Sequence, residues 1–156
     1  MSEAKVNGEI TVQYPDGFHE IDGSELAAMY KDGYENRWGI WDKERHAILC
    51  IQWHRNNPLL AKMAGPASVI KSTESKMREG MKGHEYSLIG FKDSTVCGIE
   101  AKSFTHTYRV EGVDQTSEVT VFKHGSVFYT MYLYWRTGDD AVASLLTDIV
   151  SKMSMS

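Results

Sequence analysis

The chain lacks most of what would tie it to a familiar chemistry. Cysteine is scarce, with two in 156 residues, so a disulfide-stapled scaffold is excluded as the basis of the fold. Cys50 and Cys97 lie in separate apolar segments, AILCI and TVCGI, and both read as reduced core thiols, since free cysteine packs as a small hydrophobe. A bridge between them would need two strands to bring them together. Basic residues are not in excess: 17 Lys and Arg stand against 21 Asp and Glu, a net charge of −4. Nucleic acid and anionic membrane are therefore not expected partners, because they demand clustered cations. No apolar run approaches the ~18 residues of a membrane span, so no membrane insertion is expected. MSEAKVNGEITV has no basic n-region, apolar h-region or small-residue cleavage site, which leads to the expectation of a cytoplasmic protein.

Catalytic and cofactor motifs are missing as well. The sequence holds no Gly-x-Gly-x-x-Gly, P-loop, Gly-x-Ser-x-Gly, Cys-x-x-Cys or His-Glu-x-x-His, so the common phosphate cradles, nucleophile turns and zinc sites are not encoded in their usual form. No cofactor is expected. No Pro/Gly/Ser-rich linker, charge block or repeat divides the chain, and residues 1–156 read as one domain.

What is present is alternation and periodicity. EITVQY alternates as a strand and ends in the turn Pro15-Asp16-Gly17. Ser24 is placed to cap a short helix, SELAAMY. RWGIW, a polar DKER turn and HAILCIQWH read as a hairpin, and NNPLLAKMA as a helical turn with Pro58 near its start. After Gly65-Pro66 a helix carries the stripe Val69, Ile70, Thr73, Met77, Met81. Four strands are then expected in YSLIGF, TVCGIEAKSFTHTYRV, TSEVTVF and SVFYTMYLYWR, the last two joined through Lys123-His124-Gly125. Thr137 to Asp140 resembles a capping box. The helix behind it has the apolar positions Val142, Leu145, Leu146, Ile149, Val150 and Met153. Long antiparallel strands with a few helices make the chain α+β.

The six histidines include no pair at a chelating helical spacing. A metal or small-molecule site would require His46, His54 and His106 to converge from neighbouring strands. Glu100 and Lys102 share a strand face and read as a solvated pair rather than an acid/base couple. His19, Glu20 and Asp22 read as loop polarity. Aromatic residues are the remaining feature. Phe104, His106 and Tyr108 share one face of a strand. Phe128, Tyr132 and Tyr134 share a face of SVFYTMYLYWR, opposite Val127, Tyr129, Met131, Leu133 and Trp135. Two apolar faces suit a strand covered on both sides, which outweighs a ligand platform.

Three segments carry a family resemblance: ITVQYPDGF, GFKDSTVCGIEAKSFTHTYRVEG, and HGSVFYTMYLYW followed by SLLTDIVSKMS. In order, they resemble the fold shared by the photosystem II subunit PsbP, the yeast Ran-binding nuclear import factor and the bacterial DcrB family. The resemblance implies a three-layer α/β/α sandwich with a central, mostly antiparallel sheet. It implies non-enzymatic binding roles too, as adaptor or chaperone, with another protein as partner and homodimerisation as a further possibility. The expected partner surface is an uncovered part of the sheet near Trp53, His54, Phe104, His106, Tyr108, Tyr132 and Tyr134.

Overall fold

The structure, a computed structural model, describes residues 1–29, 36–55 and 65–156. Strands β1 (Ser2–Val6) and β2 (Ile10–Tyr14) form an N-terminal hairpin, and the two-residue β10 (Ser154–Met155) adds to β2 as a third, antiparallel strand. A larger sheet is built from β3 (His19–Glu20), β4 (Arg37–Asp42), β5 (Ala47–Arg55), β6 (Ser87–Val96), β7 (Ile99–Val110), β8 (Val113–His124) and β9 (Val127–Arg136). Its order is β3-β4-β5-β9-β8-β7-β6, antiparallel throughout. Among the described residues three helices, α1 (Gly23–Met29), α2 (Pro66–Gly80) and α3 (Asp140–Ser151), flank it. None is long and apolar enough to cross a membrane.

Alternation along β9 sorts the core. Tyr129, Met131 and Leu133 face a cluster with Leu49, Ile51 and Phe122 that is closed by Val142, Leu146 and Ile149 of α3 and by Ile10 and Val12 of β2. Phe128 points the other way and packs with Phe104, Val119 and Val121 under Ile70 of α2. Farther along that second face, Cys50 packs with Ile21 and Leu26 of α1. The α+β, three-layer expectation holds. One outer layer is α3 together with the small sheet, which the sequence did not announce because β1 and β10 are short and polar.

Several local readings are corrected. TVCGIEAKSFTHTYRV is not one strand: Cys97 (φ 54°) and Gly98 (φ 75°) make a two-residue turn joining β6 to β7. Positive φ at both positions is the hairpin geometry that matches strand twist. A second such turn, Glu111-Gly112, starts β8 earlier than TSEVTVF suggests. In α1 the cap is Asp22 rather than Ser24. Its carboxylate accepts from Glu25 N–H and from the Ser24 hydroxyl, while Glu25 accepts from Asp22 N–H. These donors hold the Asp22 carboxyl below its usual range. His19 and Glu20 form the edge strand β3 rather than a loop. NNPLLAKMA and Tyr30 lie outside the described residues.

Helix α3 begins two residues later than the Thr137 box predicts. Asp139 is the N-cap, and its side chain accepts from Val142 N–H. Since this one bond seats the helix that closes the larger core, Asp139→Ala should lower stability by about 1 kcal/mol, with Asp139→Asn near wild type. Urea denaturation of the three proteins measures this.

Candidate functional site

The α1/α2 face is read most easily as rows running across the strands. One row is Gly39, Cys50, Tyr132, Val119, Phe104 and Phe91; the next is Trp41, Ile48, Tyr134, Ser117, His106 and Leu88. A third contains Arg136, Gln115 and Tyr108. Helix α2 lies over the β7 and β8 end of the first two rows, and α1 over β4 and β5. Between and beyond them the sheet stays open. There a groove of about 570 Å³ is lined by Trp41, Ile48, Tyr108, Val110, Gln115 and Tyr134, with Asp42, Lys43 and His46 at its rim.

Each wall is held by a specific contact. The Trp41 indole N–H donates to His19 Nε2 across the β3–β4 pairing, and Lys43 Nζ stands 4.5 Å from its ring centroid. Tyr134 stacks on Tyr132 with 6° between planes, and Tyr108 stacks on His106 at 5.5 Å. Burial pushes the Tyr108 hydroxyl up to about 12, so it remains a neutral donor across the physiological range. Asp42 carries no free charge into the groove. It is buried, bridged to Arg45 and bonded by the backbone N–H groups of Glu44 and Arg45.

Behind the groove the sheet holds an unusual polar pair. His106 and Ser117 face each other across β7 and β8, both fully buried. Neither His106 ring nitrogen nor the Ser117 hydroxyl has a hydrogen-bond partner. Tyr86 and Tyr108 stack on the imidazole and Phe104 tilts against it. Burial drives the His106 pKa down to about 4, opposed by the negative charge of Glu74. The ring is thus neutral at pH 7, with one donor and one acceptor unmet, each costing roughly 1–3 kcal/mol. Glu74 itself is buried on α2, where the sequence stripe had Thr73 and Met81. It accepts from Tyr86 Oη at 2.7 Å, Arg78 Nε at 3.0 Å and Arg78 Nη2. Glu74 and Tyr86 were not among the expected residues. A lone Glu on an otherwise polar helix gives no sign of burial until its sheet partner is known.

The expected surface is thereby divided. Tyr108 and Tyr134 line the groove. His54, stacked on Phe128, and Tyr132 border a separate polar cleft with Gln52, Thr73 and Lys76. Phe104 and His106 are fully buried. Trp53 belongs to the opposite face, paired with Tyr129 and packed on the α3 core. An odd step along β5 separates it from His54, so the two cannot share a surface. Nor do the candidate metal ligands meet. His46 sits in the β4–β5 turn and His54 near the far end of β5, eight residues or roughly 26 Å away along an extended strand. Among the described residues no three His, Cys, Asp or Glu side chains gather as a metal site. Lys102 pairs with Asp93 across β6 and β7 in solvent, as a surface ion pair.

No protein-family model and no curated protein sequence matches the chain. Solved structures do. The solution structure of cyanobacterial PsbP (CyanoP) from Synechocystis sp. PCC 6803 superimposes with a TM-score of 0.73 at 15% identity, over 99% of this chain and 92% of that one. The chain has the PsbP-like fold. A crystal structure from Bacteroides thetaiotaomicron matches at TM-score 0.62 and 14% identity, over 94% of this chain but only 45% of its own length. LpqN of Mycobacterium tuberculosis, involved in cell envelope biogenesis, matches at 0.53 and 16%, over 94% and 83%. At such identities the likeness is one of PsbP-like architecture and not of shared site residues.

The buried imidazole makes stability depend on pH. Between about 6.5 and 4 the unfolded chain takes up a proton on residue 106 that the folded one refuses. Stability is therefore full above pH 7 and falls on acidification, by up to about 3 kcal/mol from this group. His106→Phe should remove that part of the loss. Urea titrations of both proteins at pH 7 and 4.5 measure it as a difference, which cancels the shared carboxylate contribution.

Proposed function

We propose that this chain is a non-enzymatic protein-binding adaptor or chaperone that receives a segment of another protein in the Trp41–Tyr108–Tyr134 groove. The observation that carries this reading is a solvent-open, mostly apolar groove walled by three aromatic residues on a rigid sheet. Aromatic side chains with polar tips give large contact area at little conformational cost, which makes them frequent anchors of interfaces. The two outward tyrosines are set by stacking on their inner neighbours, so the groove is preorganised and binding does not have to order its walls. Binding roles are also what the PsbP-like resemblance implies, and the sharper variant is a chaperone that shields an apolar helix of its client. A second copy of this chain is the competing occupant of the same face.

Immobilised protein should capture a partner from native extract, and Tyr108→Ala and Tyr134→Ala should each lose it while staying folded. Trp53→Ala, on the other face, should retain it. Capture that survives both tyrosine changes and disappears with Trp53→Ala would overturn the assignment of the groove. A dimer by light scattering that Tyr134→Ala dissociates would assign the groove to a second copy.

A further inference from the structure

The groove has a chemical bias that narrows its occupant. Tyr108 on β7 and Tyr134 on β9 stand on either side of β8, one row apart, and β8 contributes Gln115 between them and the short Ser117 beside Tyr134. The floor of the groove thus offers the Gln115 side-chain amide between aromatic walls, while Ser117 and His106 stay fully buried beneath it. An aliphatic side chain would fill such a slot without answering its polar groups. An aromatic ring with a donor at its edge answers both.

The rim adds a sign. Lys43 stands over Trp41 at the β4 end, and Arg136 of β9, paired in register with Gln115, is exposed along the same side of the groove. Among the described residues neither forms an ion pair with a carboxylate. Two neighbouring acids are already engaged, Asp42 with Arg45 and Asp114 with Arg109. A protein of net charge −4 therefore presents two cations without an ion-pair partner among the described residues along one side of its aromatic groove. Charges so placed choose partners and speed encounter more than they add affinity.

We infer that the groove takes a peptide segment in which a tyrosine or tryptophan adjoins acidic residues, its ring between Tyr108 and Tyr134 and the acidic stretch running from it past Arg136 toward Lys43. This rests on the protein-binding reading and specifies its ligand.

The test uses the full chain and synthetic acetylated nonapeptides with a central tyrosine or tryptophan between glutamates. Controls carry lysine for every glutamate, or alanine for the aromatic residue. Calorimetry should show the acidic aromatic peptides binding at least about tenfold tighter than either control, weakening between about 50 and 500 mM salt. The double reversal Lys43→Glu/Arg136→Glu should invert the preference toward the lysine-flanked peptide with the melting temperature unchanged. Aromatic peptides that bind equally with either flank, and ignore the double reversal, would overturn the acidic specificity and leave the protein-binding groove standing. Failure of every peptide to bind, with the Tyr108 and Tyr134 resonances unmoved at millimolar peptide, would overturn both.

Discussion

Phe128 and Tyr129 are neighbours in sequence, point to opposite sides of the sheet, and are both completely shielded from water. This double burial of β9 is the constraint that organises the molecule. A strand with one apolar face can be satisfied by a single cover, whereas β9 needs two. The chain supplies them from different places: α2 and α1 on the Phe128 side, and α3 with the N-terminal hairpin on the Tyr129 side. Each fully buried aromatic ring contributes roughly 1.5–3 kcal/mol of transfer free energy, so leaving either face open would forfeit a large share of a domain's net stability. The small sheet follows from the same demand. Helix α3 is only twelve residues long, too short to roof the β5–β9 area, and β2 supplies the remaining cover through Ile10 and Val12.

The groove exists where that demand is relaxed. Past Tyr132 the second face is no longer roofed, and the residues change character to match. The fully apolar Phe128 and Val119 give way to Tyr134, Tyr108 and Gln115, which hold a polar group toward water. The edges of the sheet are managed differently. β3 is only two residues long, and β6 carries a bulge between Leu88 and Gly90 together with the charges of Lys92 and Asp93. Bulges and charges are how sheets discourage edge-to-edge pairing, which leaves Ile89 and Phe91 exposed without making them a ready template.

Much of this was legible from the residues in order. The α3 stripe, the alternation of SVFYTMYLYWR and the polar hairpin at DKER correspond to observed elements, because each signal is local and repeats over several residues. Readings failed where one residue was decisive. Cys97-Gly98 does not read as a turn because cysteine is an uncommon occupant of a positive-φ position. Ser24 and Thr137 are chemically as suitable for capping as Asp22 and Asp139 two residues away, and only backbone geometry separates them. Of the expected partner residues, Tyr108 and Tyr134 line the groove, each on the face that strand alternation assigns it. Trp53 faces the other way because its side is set by the pairing of β5 with the sequence-distant β9, which local sequence does not carry, and the burial of Glu74 is not legible because it depends on Tyr86 and Arg78 arriving beside it.

By itself the sequence determined the class of the fold: alternation of period two with two apolar faces demands a covered sheet, and the periodic helices are covers for it. The scarcity of clustered cations and of familiar motifs is likewise a property of the sequence that needs no coordinates. Tertiary structure alone decided which aromatic residues are core and which are wall. That division depends on strand register, set by long-range pairing, and on where each covering element stops. Phe104 and Tyr108 lie on one face of one strand, four residues apart, yet Phe104 packs under Ile70 of α2 and Tyr108 lines the open groove.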